Sequence, residues 1–459
     1  MATPSIKIDR ALYALTMDAE RRILTDAAVL IEDDTITRVG KSPDLADVTA
    51  DRTIDASDLV LTPGFIGGHM HISYAHATRG IFPDDLGPDY LPNVFRLQSI
   101  MSPEEERLTS LLAITELLKY GTTTFVDPGS TKHIVACMDA YRIAGCRVVT
   151  GTQVTDRPNP LNVPTYDTDK ALAITENTVA EFDGELDGMM RAWAMPFSTE
   201  YASPELLSGV ARIAKDNDTR VTIHHSFSSA ATEDWKARTG VTPTGFLRQI
   251  GFLDQDVLLA HALGITEDDV SVIADAGASV VMCPPAAAKG GSGMTRGALL
   301  PELLEAGVSV ALGTDAPNNS NLIETLRAVY LSAILYKDGR RDVSKIPAET
   351  ALELGTITGA EALGMSESIG SIEVGKKADL VLFDTMRPEW RTLFNPVNNL
   401  VYSADGRSVH TVIVNGKVVV RGHAPTFVDE RDLITDVQRV GESMLARSGI
   451  AFPSRWPVI

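Results

Sequence analysis

Cysteine is scarce in this chain of 459 residues: there are three, Cys137, Cys146 and Cys283, and no two stand at CxxC spacing. An odd number without that spacing excludes a disulfide framework and a thiolate zinc site, and reduced core residues are the expectation. Basic residues are also few, 41 against 61 acidic ones, for a formal net charge of −20 with no Lys/Arg-rich block to offset it. Nucleic acids and anionic membranes are negative and call for basic patches, so neither is expected as a partner. Long apolar runs are missing. LVLTPGFIGG near residue 59 and VIVNGKVVV near residue 412 are short and broken by Gly, Pro or charge, so no segment is expected to span a bilayer. MATPSIKIDRALYALTMDAERR has no basic start followed by an apolar core, which leaves no secretory signal and a cytoplasmic location as the expectation. Low-complexity tracts and 20- to 50-residue repeats are absent as well.

The remaining composition, 44% hydrophobic and 22% charged, supplies a large core and a second, smaller unit. Residues 1–60 read as short strands and turns, with a hairpin in VLIEDDTITRV around its Asp-Asp pair. Over residues 61–365 strand-like runs alternate with amphipathic stretches, as in TTTFVD, KHIVACMDAYRIAG and CRVVTGTQV. β-rich character returns over 366–425, and 426–459 is a tail whose helix runs from about Asp429 to Ser448. About 300 residues of alternating β and α units suit a (β/α)8 barrel, an α/β fold, better than an open doubly wound sheet. The two β-rich ends are expected to pair into one small composite β-sandwich. The glycine-rich stretch Gly290–Gly297 fits neither a dinucleotide fingerprint nor a phosphate loop and reads as a loop near a site.

His69-Met70-His71 follows an apolar run. In an extended strand side chains alternate, so both imidazoles face one side, as a metal chelate requires. At about 30 to 38 residues per β/α unit, a first strand here puts VTIH, ending at His224, on strand 5. LLAH, ending at His261, comes 37 residues later on strand 6, SVVMC falls on strand 7, and VSVALGTD, ending at Asp315, on strand 8. Each polar residue terminates an apolar strand. Barrel enzymes carry their chemistry at the C-terminal strand ends, so His69, His71, His224, His261 and Asp315 are expected to converge on one face as a metal site. His76 follows strand 1 on the same face. Together with His225 and Phe227 it is a candidate substrate contact, whereas His133, His410 and His423 are given ordinary structural roles.

GFIGGHMH, IHHS, LLAHALGIT, VALGTDAP and GSIEVGKKADLVLFD resemble, in this order and over nearly the whole chain, the metal-dependent amidohydrolase superfamily and its cytosine deaminase and triazine hydrolase branch. The resemblance implies a (β/α)8 barrel with a composite β-sandwich. It implies one divalent metal held by His69, His71, His224 and Asp315, with His261 near the substrate, and a homo-oligomer, dimer or tetramer. Imidazole and carboxylate donors without thiolate suit Zn2+, or Fe2+, Mn2+ or Co2+. Such a metal lowers the pKa of a bound water towards about 7. Asp315 is then the group to carry a proton from the water to the leaving group, and His261 the group to polarise the scissile bond. MMRAWAMPF at strand 4 offers no lysine for a bridged two-metal site.

Departures from the branch carry the substrate information. Its deaminases have HxxE at strand 5, where the Glu protonates a ring nitrogen; this chain has Phe227 there. The strand-7 loop reads Cys-Pro-Pro-Ala-Ala-Ala-Lys289, where the family has Pro followed by Ser-Asn. An apolar site without that acid suits direct attack on an amide, carbamate, thiocarbamate or urea carbonyl of a small molecule, and HISYAHATRGIFPDD is similar to bacterial phenylurea and thiocarbamate herbicide hydrolases. The alternatives are an aminohydrolase of a nitrogen heterocycle, a triazine-type chloro- or amino-hydrolase, and a non-catalytic scaffold.

Overall fold

The computed structural model describes residues 4–161, 163–452, 456, 457 and 459. Eight short parallel strands build the centre: β1 Phe65–Gly67, β2 Thr122–Val126, β3 Arg147–Thr150, β4 Met190–Ala192, β5 Val221–His225, β6 Val257–His261, β7 Ser279–Met282 and β8 Val310–Leu312. They are buried almost throughout, as parallel strands covered by helices must be. Hydrogen bonding runs β4-β3-β2-β1-β8-β7-β6-β5, and single parallel bridges, Ala194 to Val221 and Ser198 to His224, join the two ends into a closed (β/α)8 barrel. The interior is packed with Ile66, Val126, Val149, Leu258, Val281 and Ala311, each at most 1% exposed, so it is a core and not a channel.

The second sheet draws on both ends of the chain. From one edge its strands are Ala424–Pro425, Lys417–Arg421, Val409–Val414, Leu380–Asp384, Leu59–Pro63, Ile6–Leu15, Ile23–Glu32 and Thr35–Lys41, and Arg52–Asp55 lies parallel to Ile6–Leu15. Leu380–Asp384 zips antiparallel onto Leu59–Pro63, from Leu380 opposite Pro63 to Asp384 opposite Leu59, and this pairing joins the termini into one β-sandwich unit. The hairpin read around Asp33-Asp34 is present, with Ile23–Glu32 and Thr35–Lys41 antiparallel and Asp33 in the left-handed region at φ 53°. The tail forms a helix over Glu430–Ser448, capped by the Asp429 carboxylate accepting from the Asp432 N–H. No helix among the described residues is long and apolar enough to cross a membrane.

Arg147, at the start of β3, ties the barrel floor to the sandwich. Its Nε and Nη2 donate to Asp379 at 3.0 and 3.2 Å, and Nη2 also reaches Asn415 Oδ1 at 3.1 Å. Both partners are nearly inaccessible, with side chains 9% and 3% exposed. A buried ion pair stripped of one member leaves an uncompensated charge. Asp379→Ala is therefore expected to lower unfolding free energy by about 3–5 kcal/mol, read by denaturant titration; a loss under 1 kcal/mol would show that solvent reaches Arg147.

Candidate metal centre and substrate cavity

β1 ends at Gly67, two residues before His69, so the HxH segment is an irregular continuation and not the regular strand expected from sequence. The alternation survives because backbone bonds pin the segment: Met70 N–H donates to Val126 O at 2.8 Å, and Asp315 N–H donates to His69 O at 3.1 Å. Met70 turns back onto Gly67, where a Cβ would lie 2.4 Å from its Cε. The end of β8 approaches as closely. A Cβ on Gly313 would lie 2.5 Å from His69 O, so only glycine lets Asp315 reach the histidines. Asp315 (φ 60°) and His261 (φ 77°) both occupy the left-handed region, a strain of order 1–3 kcal/mol each that the surrounding barrel rim holds in place.

Five side chains meet at this rim. The His69 ring lies 5.0, 4.9 and 4.9 Å from those of His71, His224 and His261. Asp315 Oδ1 is 3.2 Å from His71 Nε2 and 3.6 Å from His69 Nε2. Two donor triads result, His69–His224–His261 and His69–His71–Asp315, and within each the ligating atoms lie within 4.8 Å of one another. His69 belongs to both.

Neighbouring groups set which nitrogens are free. The Phe197 carbonyl can only accept, so the 2.7 Å contact makes His224 Nδ1 the protonated nitrogen and leaves Nε2 with its lone pair. His71 Nδ1 meets Ser130 Oγ at 2.8 Å, and that hydroxyl donates to buried Asp127 at 3.1 Å, which again leaves Nε2 open. Among the described residues both His69 nitrogens are buried with no hydrogen-bond partner, and a metal would take one of them. Burial pushes His69 down to about 3 and, with neighbouring imidazoles, holds His224 well below the usual histidine range. Burial opposes ionisation of Asp315, but the imidazoles of His69, His71 and His261 around it outweigh that cost and keep the carboxyl well below the usual range. Neutral imidazoles and an ionised carboxylate are the protonation states a divalent metal needs. The donor set therefore fits such an ion.

A cavity of about 350 Å³ opens onto the cluster. Its walls are aromatic, from Tyr74, Tyr90, Phe95, Phe197, Tyr201 and Phe227, with Gln153, Ser198, Glu200 and Asn319 among the polar groups. Gly290 and Ser292 of the glycine-rich stretch also line it, as the sequence suggested. Phe227 stands in the wall, 51% exposed. The other two candidate substrate contacts lie elsewhere. His225 faces away from His224 across β5, between Thr199 Oγ1 at 3.1 Å and Thr244 Oγ1 at 2.9 Å. His76 enters the helical turn His76–Thr78, which carries it outward to Glu116 on the helix Pro103–Lys119 at 2.8 Å, beside a different cavity. Sequence reasoning passed over Glu200 and Asn319. Glu200 comes three residues past Phe197, after Ser198 and Thr199, so the strand-end rule that finds the histidines does not single it out. Asn319 lies four residues past Asp315 and donates to its Oδ2 at 3.1 Å.

Known proteins agree with this geometry. The chain is 33% identical over 436 residues to the 5-methylthioadenosine/S-adenosylhomocysteine deaminase of Syntrophobacter fumaroxidans, covering 93% of this chain and 94% of that protein. It is 30% identical over 437 residues to the 5'-deoxyadenosine deaminase of Methanosarcina barkeri, covering 95% and 97%. Among solved structures, a zinc-bound adenosine deaminase of Xanthomonas campestris superposes with a TM-score of 0.88 at 25% identity, covering 96% and 98%. The zinc complex of an atrazine chlorohydrolase from Arthrobacter aurescens gives 0.85 at 25%, covering 95% and 100%. These relatives replace the expected kinship to phenylurea and thiocarbamate hydrolases: the short segment after His71 that suggested it is outweighed by similarity over the whole chain to deaminases. Residues 60–419 match the Amidohydrolase family, and with the barrel, the histidine–aspartate cluster and these relatives, the chain belongs to that family of metal-dependent hydrolases.

Proposed function

We propose that the protein is an aminohydrolase that removes the exocyclic amine of a nitrogen heterocycle, with 5'-modified adenosines the leading substrate class and Zn2+, held by His69, His71, His224 and Asp315, the leading metal. The observation that carries this reading is the kinship over nine-tenths of the chain to deaminases of such nucleosides. The cavity supports it, because aromatic walls offer stacking surfaces to a flat ring and apolar room for a 5' substituent.

A divalent metal held by these residues would lower the pKa of a bound water and so make hydroxide available near neutral pH. Asp315, ionised and steadied by Asn319, takes a proton from the attacking water and returns it to the departing amine. His261, whose ring stacks on His224 at 5.5 Å and lines the cavity, is placed to hydrogen-bond the oxygen that becomes the product carbonyl.

One observation favours a second reading, hydrolysis of an apolar amide or aryl urea: Phe227 cannot donate a proton where the resemblance places an acid. A substrate panel decides between the two. Methylthioadenosine, S-adenosylhomocysteine, 5'-deoxyadenosine and triazines are assayed for ammonia, and anilides and aryl ureas for aniline. Ammonia from a nucleoside with the amide arm at background is the expected result; aniline release without ammonia would reject the aminohydrolase.

A further inference from the structure

Deamination of a ring requires more than an attacking water. As oxygen adds to the carbon bearing the amine, the adjacent ring nitrogen gains a pair of electrons and takes a proton. Phe227 supplies none. Among the described residues lining the cavity, the carboxyl groups are those of Asp315, which belongs to the metal cluster, and Glu200.

The local register puts Glu200 beside the missing acid. Ser198 bridges in parallel to His224, and Thr199 N–H lies 3.4 Å from His224 O, so the chain after β4 runs alongside the end of β5. Two residues past Ser198 comes Glu200, and three past His224 comes Phe227, both in the wall of one cavity. The helix Ser229–Thr239 that follows Phe227 carries the charged groups that act on Glu200. They are Arg238 and Asp234, which pair with each other at 3.1 Å, and neither bonds Glu200 directly. Tyr201 is the other titratable neighbour. Among the described residues the Glu200 carboxyl has no hydrogen-bond or ion-pair partner.

We infer that Glu200 performs the proton transfer to the ring that a strand-5 acid would otherwise perform, reaching the substrate from the end of β4. This rests on the aminohydrolase reading. In the addition step the water oxygen bonds to the ring carbon, one water proton goes to Asp315, and the Glu200 proton goes to the ring nitrogen. In the collapse the carbon–nitrogen bond breaks, ammonia leaves with the proton from Asp315, and the new hydroxyl returns its proton to Glu200 as the carbonyl forms. Water and the amino-heterocycle become the oxo-heterocycle and ammonia, with both carboxyl groups restored. Burial raises Glu200 above the usual carboxylate value, Arg238 opposes the rise and Asp234 adds to it; the net direction is the one a proton donor needs.

The test uses the metal-loaded enzyme and its best ammonia-releasing substrate, with Glu200→Gln and Glu200→Asp. Glu200→Gln is expected to lower kcat at least about 100-fold, with KM changed less than about threefold and metal content and Tm unchanged. A donor must be protonated, so wild-type kcat/KM falls as pH rises through the Glu200 pKa. That basic limb is expected to vanish in Glu200→Gln and to persist, at reduced rate, in Glu200→Asp. Glu200→Gln with kcat within threefold of wild type and an unchanged pH profile would overturn the inference while leaving the aminohydrolase standing. A KM rise with kcat preserved would also overturn it, by making Glu200 a binding group. Wild-type enzyme that releases no ammonia from any heterocycle would overturn both readings, a result visible before any variant is made.

Discussion

Asp315→Asn is expected to lower kcat by about 10³-fold or more, since general acid–base transfer alone contributes about 10²–10⁴. The amide keeps the size of the carboxyl and its contact with Asn319, now at 3.1 Å from Oδ2. It cannot, however, take a proton from the attacking water or return one to ammonia. It also removes the charge that His71 Nε2 meets at 3.2 Å. KM is expected to change only a few-fold, because the aromatic walls that hold the ring are untouched. Steady-state kinetics with elemental analysis of the purified variant checks this, and kcat within tenfold of wild type at unchanged metal content would remove Asp315 from the proton path. Asn319→Ala acts through Asp315 and is expected to cost about 10- to 100-fold, the usual range for a group that orients a metal-site carboxylate.

The strand-end histidines were legible because two regularities coincide in them: an apolar run closes on a polar residue, and the runs recur at barrel spacing. His224, His261 and Asp315 each satisfy both, and the structure brings all three to the cavity. His225 shows where the pattern stops. Two adjacent histidines on a strand must face opposite ways, and nothing local says which faces in; the bridge of Ser198 to His224 decides it. His76 failed for a similar reason, since the helical turn that redirects it is set by packing against the helix Pro103–Lys119. Glu200 was hidden by the shortness of β4, three residues followed by the separate two-residue strand Met195–Pro196, which blurs where the strand ends. The Asp33-Asp34 hairpin is local and readable, whereas the pairing of Leu59–Pro63 with Leu380–Asp384 joins segments more than 300 residues apart and is inferable only from their shared β character.

His69→Ala is expected to be the most damaging single substitution at the centre, because His69 is the donor common to both triads. Losing His71 or Asp315 leaves one triad whole; losing His69 breaks both. The expected result is less than about 0.1 metal ion per chain after dialysis and activity reduced by at least about 10³-fold, in line with the loss of a water-activating metal. Stability supplies a second readout. A ligand that binds only the folded state adds about 4 kcal/mol when present at 1,000 times its Kd, and in the wild-type protein a metal would also give a partner to one of the two His69 nitrogens that otherwise have none. Chelation should therefore lower the wild-type Tm by several degrees and zinc should restore it, while the Tm of His69→Ala should respond to neither. A variant that retains one tightly bound metal and a zinc-dependent Tm would remove His69 from the ligand set.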